Sequence, residues 1–227
     1  MRKGDYRKQM VAKKSSIIII SALFITLTIG IFWGINKYFY DSLIKQNGEK
    51  GLVVLKNIEN TLDKEEVQDI IGKQEHSNPY YIDMVNKFKQ IERDNELLYI
   101  YTIHYDEKGA LKYDIVSDEL NDILGQPISH EELTDEVMYS LHAGEETYTQ
   151  SYKTEQWGQL TSCNIPLKDN EGNIMGVLGL GLPQEHIRRG LIQIFIKTII
   201  VLMLFIIMIT ILAHTVLEKY QEQYIKP

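Results

Sequence analysis

Aromatic residues stand in two strand-like segments of the sequence at positions that could line a binding pocket. Tyr99 and Tyr101 are two residues apart in the run LLYIYTIHY, and Trp157 comes just before the later run QLTSCNIPL. A small-molecule pocket needs apolar walls and a few convergent polar groups, and phenol and indole rings supply both. The pattern therefore predicts that these three side chains contact a ligand. The same residue types also form ordinary strands and cores, so structural packing is the alternative for each.

Four further residues could orient such a ligand. Asn164 carries an amide that can donate to a ligand carboxylate, and Ser162 shares its face of the predicted strand. Asp114 could bind a cation or an amine, with Tyr113 beside it on another strand. We therefore expect a small ligand, a carboxylate or a similar molecule. The alternatives are a polar edge residue for Asn164 and an inert, exposed carboxylate for Asp114.

The sequence contains no pattern that predicts catalysis, a metal centre or a cofactor. No G-x-S-x-G, H-E-x-x-H, P-loop or G-x-G-x-x-G motif stands in a suitable context. The histidines lack metal-ligand spacing, and the lone Cys163 cannot form an intrachain disulfide. Acidic residues outnumber basic ones by 31 to 24, which argues against nucleic-acid binding. We expect a protein that is not an enzyme, with no cofactor and no nucleic-acid partner.

Turn and strand signals place the candidate residues on an antiparallel sheet. The turns Asp106–Gly109 and Asp169–Gly172 each separate two strand-like runs, which is the pattern of a β-hairpin. The predicted strands are Leu97–Tyr105, Leu111–Val116, Glu146–Tyr152, Gln159–Leu167 and Ile174–Leu182. Together with the helical segments, they predict an α+β domain with five antiparallel strands and helices on one face.

Capping residues predict three short helices in the same domain. Asp63 is a suitable N-cap for the first, and Asn78, followed by proline, is suitable for the second. Ser129 and Glu132 form a capping-box pattern that predicts a third helix from about residue 130 to residue 143.

A longer helix, Asp41–Leu62, carries a stripe of apolar residues and glycines at alternating spacings of four and three. The stripe consists of Ile44, Gly48, Gly51, Leu55, Ile58 and Leu62. This spacing is typical of two packed helices, so the stripe could be the seam of a homodimer. It could equally pack on its own domain.

Two apolar runs, Ile17–Ile35 and roughly Leu191–Ala213, are long enough to cross a membrane as helices. The first leads into an aromatic cluster and lacks a small-residue cleavage site, so it predicts an uncleaved anchor. Basic residues before it place both chain ends in the cytoplasm and the intervening domain outside the cell membrane. The predicted segments are a basic cytoplasmic N-terminus 1–15, a first span 16–36, an extracytoplasmic domain 37–190, a second span 191–213 and a cytoplasmic tail 214–227.

Three stretches carry a resemblance to a known family. They are the hairpin YIYTIHYDEKGALKYDIVSD, the pair Trp157-Gly158, and the closing stretch NIPLKDNEGNIMGVLGLGL. They resemble the single-Cache family of extracytoplasmic sensors, whose members often end in a hairpin of the form P-(I/L)-x-D-x-x-G-x-x-x-G-V. The matching positions are Pro166, Leu167, Asp169, Gly172, Gly176 and Val177. The resemblance covers roughly residues 37–187 and implies a PAS-like five-stranded antiparallel sheet with a long N-terminal helix and short helices, flanked by two transmembrane helices.

The resemblance also implies a function. Family members bind small extracellular molecules between the sheet and the overlying loops and helices, and they signal to a kinase, chemotaxis or cyclic-dinucleotide module. Gly181 stands where many amino-acid-binding relatives have an aspartate, which disfavours an α-amino-acid ligand. Because the tail 214–227 is short, we expect the output module on a separate partner or on a missing part of a longer receptor. The sequence thus predicts a bacterial transmembrane sensor; the alternative is a membrane-anchored protein-interaction or assembly factor without a small ligand.

Overall fold

The chain, in a computed structural model that describes residues 3–117, 123–128 and 133–225, contains two compact units. The first unit combines residues 1–41 with residues 188–227, and the second comprises residues 42–187. All seven candidate site residues belong to the second unit.

The first unit consists of the greater part of two long helices, both of which extend into the second unit. α1 runs Lys3–Glu59 and α5 runs Glu185–Ile225, and each contains a stretch long and apolar enough to cross a membrane. Aromatic rings join the two helices. The ring centroids of Phe24 and Phe205 are 5.3 Å apart, and those of Phe32 and Phe195 are 5.4 Å apart. Many other apolar side chains along both stretches are exposed, which suits helices surrounded by lipid.

The second unit is built on a sheet that has six antiparallel strands in the described residues. They are β1 Tyr99–Tyr105, β2 Leu111–Val116, β3 Thr147–Tyr148, β4 Tyr152–Thr154, β5 Gly158–Lys168 and β6 Ile174–Pro183. The order across the sheet is β2-β1-β6-β5-β3, and β4 also pairs with β5. The predicted strand Glu146–Tyr152 is thus divided into two short strands, so six strands fill the five predicted positions. The predicted α+β class is confirmed.

Two short helices begin at the caps that the sequence predicts. α2 is Lys64–Lys73 and α3 is Pro79–Asp94. Asp63 Oδ1 accepts hydrogen bonds from two backbone N–H groups in the first turn of α2, and Asn78 Oδ1 does the same for α3. The side chains satisfy amides that have no partner within the helix, which fixes where each helix starts.

The third short helix, α4, begins later than predicted and runs Asp135–Ala143. Its cap is Thr134, whose Oγ1 accepts from Val137 N at 3.4 Å. Ser129 and Glu132, the predicted start, lie outside the described residues. The predicted end is correct: Gly144 follows the helix with a φ of 69°, a conformation that glycine adopts without strain.

Side chains pack on both faces of the sheet, so neighbouring residues of one strand belong to different cores. Ile100 packs in one core with Leu55 of α1 and Phe88 of α3, whereas Tyr101 packs in the other with Val137 of α4. The prediction of helices on one face alone is therefore wrong, because α4 covers the second face.

The stripe on α1 packs against its own domain. Ile44, Leu55 and Ile58 are buried within the single chain. A Cβ added at Gly48 would lie 2.5 Å from the Tyr148 ring, and one at Gly51 would lie 2.5 Å from Cys163 Sγ. The glycines therefore allow close approach of the sheet to the helix. Of the two alternatives for this stripe, packing on the domain is the one that the structure shows.

Candidate ligand-binding face of the sheet

The rings of Tyr99 and Tyr101 lie across β6, which carries glycine at both facing positions. The register pairs Tyr99 with Gly181 and Tyr101 with Gly179. A Cβ added at Gly181 would come within 2.7 Å of Tyr99 Cζ, and one at Gly179 would overlap the Tyr101 ring. The two glycines thus provide the space that the rings occupy.

Two further aromatic residues join these tyrosines. The Trp157 ring centroid lies 5.0 Å from that of Tyr99, and the Tyr113 centroid lies 6.1 Å from that of Tyr101. The Tyr99 and Tyr101 centroids are 5.8 Å apart. Tilted and edge-to-face contacts at these separations are favourable beyond the burial of area. We call these four side chains the aromatic floor; the structure brings together four of the seven predicted residues in it.

Asn164 places a buried amide beside the aromatic floor. Its side chain has no solvent exposure (0%), and its Oδ1 accepts hydrogen bonds from Tyr101 Oη at 2.8 Å and from Ser162 Oγ at 3.4 Å. Its Nδ2, by contrast, has no hydrogen-bond partner among the described residues. An unpaired buried donor costs about 1–3 kcal/mol. A ligand with an acceptor atom at this position would remove that cost.

The position of Asn164 follows from its strand. β5 lies next to β6 in the sheet, and its register pairs Asn164 with Gly179 and Ser162 with Gly181. Both polar side chains therefore lie beside the glycines over which the two tyrosine rings extend. Asn164 is not an edge residue, because β3 pairs with β5 on the other side through Thr147.

Sequence reasoning missed a serine on the helix that closes this face. Ser140 is fully buried on α4, and its Oγ has no hydrogen-bond partner among the described residues. It follows Val137 by three residues and precedes Leu141, and both of these pack in the core that contains the aromatic floor. The three-residue spacing within the capped helix could have revealed it, because residues three apart share a helix face.

Asp114 lies on the opposite face of the sheet from the aromatic floor. The residue is 1% exposed, so it is not an exposed carboxylate, and its Oδ1 lies 2.7 Å from His104 Nδ1. Burial raises the pKa of Asp114, and the neighbouring His104 opposes that shift through a hydrogen bond and its charge. The structure therefore does not bring Asp114 together with the other predicted site residues.

An irregularity in the β1–β2 pairing determines which residues of β2 face which core. The register changes between Tyr101, which faces Val116, and Ile103, which faces Tyr113. As a result Ile115 packs in the α1–α3 core, while Tyr113 and Val116 pack in the core of the aromatic floor. An extra residue in one strand re-aims side chains in this way.

The groups on this face determine which kind of ligand it could bind. In the part of the chain that the structure describes, no three His, Cys, Asp or Glu side chains are grouped so that they could hold a metal ion. The face offers a different set of groups: aromatic surfaces, phenol hydroxyls, a serine hydroxyl and an amide donor. These groups can enclose a small organic molecule and hydrogen-bond to its polar end.

No family model and no curated protein matches the chain. Solved structures that are similar to it are Cache-type sensor domains of chemoreceptors and histidine kinases. The ligand-binding domain of the Campylobacter jejuni chemoreceptor Tlp3, in complex with L-valine, is 15% identical with a TM-score of 0.46, over 78% of this chain and 66% of that one. The E. coli DcuS sensor domain is 18% identical with a TM-score of 0.46, over 67% of this chain and 96% of that one. The sensor domain of the V. cholerae histidine kinase DctB is 12% identical with a TM-score of 0.43, over 67% and 60%.

Proposed function

We propose that this chain is a bacterial transmembrane sensor that binds a small carboxylate-containing molecule over the aromatic floor. The observation that carries the proposal is Asn164, a fully buried amide whose Oδ1 is bonded while its Nδ2 has no partner among the described residues. A carboxylate oxygen would accept from this N–H, and the rings would enclose the rest of the ligand. Ser162, whose Oγ bonds to the same amide, would hold Asn164 in orientation.

The proposed topology places the sensing face outside the cell. Residues 16–36 and 191–213 cross the membrane, residues 37–190 form the outer domain, and the ends 1–15 and 214–227 lie in the cytoplasm. Two helices long and apolar enough to cross a membrane support this arrangement, as do the basic residues before the first span.

Chain connectivity offers a route for the signal. The rings of Tyr99 and Tyr101 lie on the glycines of β6, and β6 ends at Pro183, two residues before α5 begins. If the rings and β6 move together between two positions, a ligand that binds one position more tightly would shift the equilibrium towards it. The size of the shift is set by the difference in the ligand's affinity for the two positions. The displacement of α5 would then reach a kinase, chemotaxis or cyclic-dinucleotide output protein. A homodimer is part of this proposal, but its seam must lie elsewhere than on the buried stripe of α1.

A ligand screen on the full chain tests the proposal. The protein in lipid nanodiscs is heated with small carboxylates, amines, amino acids, sugars and nucleobases, and unfolding of the outer domain is followed. A ligand at 100 times its Kd stabilises the folded state by about 2.7 kcal/mol. That corresponds to a rise of about 5–10 °C in the Tm of a domain of this size. A flat response across the whole screen from a folded protein would contradict the sensor and favour the interaction factor.

A pair of variants tests the role of the amide. Asn164→Asp keeps the shape and the acceptor for Tyr101 but replaces the donor with a carboxylate, so it should weaken binding of a carboxylate ligand at least tenfold. Asn57→Asp adds the same charge at an exposed position on α1 and should leave the affinity unchanged. Tighter binding to Asn164→Asp would show that the ligand presents a cation, and equal binding would show that Asn164 does not contact it.

A further inference from the structure

A second candidate site lies between the two long helices, apart from the aromatic floor. It is a groove of about 430 Å3 within the helical unit. The side chains that matter for its chemistry are Trp33, Lys37, Tyr40, Leu191, Ile192 and Phe195. Most of this lining is hydrocarbon or aromatic ring. Asn36 also lines it, and its Nδ2 donates one hydrogen bond to Phe32 O at 2.8 Å within α1.

The groove is located where an apolar helix stretch meets polar sequence. The run Ile17–Ile35 ends next to it, and α5 enters its own apolar run at Leu191. Trp33 and Tyr40 border this boundary, and amphipathic rings of this kind collect at the headgroup level of a bilayer. The groove therefore lies at the depth where a phospholipid changes from headgroup to acyl chain, given that the two helices cross the membrane as proposed above.

Lys37 gives the groove a positive charge. Its Nζ lies 5.9 Å from the centroid of the Trp33 ring. No carboxylate lies within 4.0 Å of this ammonium among the described residues, so the charge is not neutralised within that part of the chain. A cation beside an apolar groove complements a molecule that has an anionic group next to a hydrocarbon chain.

We propose that this groove binds one anionic phospholipid, with its phosphate beside Lys37 and an acyl chain along Leu191 and Phe195. A soluble anion would leave the apolar wall exposed to water, and a packed helix would bury the Lys37 ammonium without a partner, which is costly in a membrane. An anionic lipid satisfies both parts of the groove. The site would make the arrangement of α1 and α5 depend on membrane composition.

Fluorescence quenching of Trp33 by brominated lipids tests this proposal on the full chain. Trp157→Phe serves as the background, because the sequence has 2 tryptophans and Trp33 then becomes the one reporter. The protein is placed in phosphatidylcholine nanodiscs that contain equal small fractions of either brominated phosphatidylglycerol or brominated phosphatidylcholine. We expect the association constant at Trp33 to be about fivefold higher for phosphatidylglycerol, the effect of one lysine near an anionic headgroup.

Matched lysine variants decide whether the preference belongs to the groove. Lys37→Gln should reduce it to less than about twofold. Lys45→Gln, at an exposed position eight residues further along α1, should retain it. Equal quenching by both lipids, or a preference that survives Lys37→Gln, would overturn the proposal. Weak quenching by both lipids together with cross-linking of two chains at Trp33 would show that a second copy fills the groove, and would also overturn it. No step uses the extracellular ligand, so this test can fail independently of the proposed sensing function.

Discussion

Replacing Gly181 with alanine tests whether the aromatic floor depends on the glycines beneath it. The added Cβ would lie 2.7 Å from Cζ and 2.8 Å from Cε1 of Tyr99. Carbon atoms in contact are normally about 3.5–4.0 Å apart, so the ring must withdraw by about 1 Å. Trp157 restricts that movement, because its ring centroid is 5.0 Å from that of Tyr99.

Two opposing effects determine the size of the change. Alanine is favoured over glycine in a strand interior by about 0.5–1 kcal/mol, because it loses less conformational entropy on folding. Overpacking of a well-packed core costs about 1–3 kcal/mol. The overlap involves a buried ring with little freedom, so the second effect dominates. We expect Gly181→Ala to lower the free energy of unfolding by about 1–2 kcal/mol.

A double-mutant cycle assigns that cost to one contact. Tyr99→Ala alone removes a buried ring and should cost about 3–5 kcal/mol. In the Tyr99→Ala, Gly181→Ala double variant the clash is absent, so its total cost should be smaller than the sum of the single costs by the whole overpacking term, about 1–3 kcal/mol. Urea unfolding in detergent, followed by near-ultraviolet circular dichroism, supplies the four free energies of unfolding, those of the wild type and the three variants.

A matched glycine provides the control. A Cβ at Gly72 meets nothing within 4 Å, and Gly72 lies within α2, so Gly72→Ala should stabilise the protein by about 0.5–1 kcal/mol. The reasoning is refuted if Gly181→Ala behaves like Gly72→Ala, or if the costs of Tyr99→Ala and Gly181→Ala add to within about 0.5 kcal/mol.

Three further predictions concern single residues. Burial raises the pKa of the Cys163 thiol to about 12, so a maleimide should label it only as urea unfolds the domain. Mass spectrometry would detect the labelling, and rapid labelling of the native protein would contradict the burial of this thiol. Burial also raises the pKa of Asp114, so the stability that this group contributes is present below its unfolded pKa of about 3.9 and is lost as pH rises through its folded pKa. As the pH rises from acid to neutral, the free energy of unfolding of Asp114→Asn should therefore increase relative to that of the wild type. A difference between the two proteins that is independent of pH would be inconsistent with this shift. Asp63→Ala removes the cap of α2 and should cost about 1 kcal/mol in urea unfolding, whereas Asp63→Ser should retain most of the stability; equal losses for both would show that the cap is unimportant.

Features that depend on local chemistry could be predicted from the sequence. Helix starts at Asp63 and Asn78 and the helix end at Gly144 follow from hydrogen bonds and backbone conformations within a few residues. Apolar run length identified both candidate membrane helices, because crossing a bilayer requires about 20 apolar residues. Strand alternation separated Tyr99 and Tyr101 from their neighbours along β1 and so predicted that these two share one face.

Which of these faces meet, and what closes them, follows from contacts between distant parts of the chain. The register change in β2 sends Ile115 to one core and Val116 to the other, and no local signal marks that position. Burial of Asp114 beside His104 depends on the pairing of β1 with β2, and the unpaired amide of Asn164 depends on the packing of Tyr101 over β6. These outcomes depend on contacts between residues far apart in the chain. The free energies of such contacts cannot be read from a pattern of neighbouring residues.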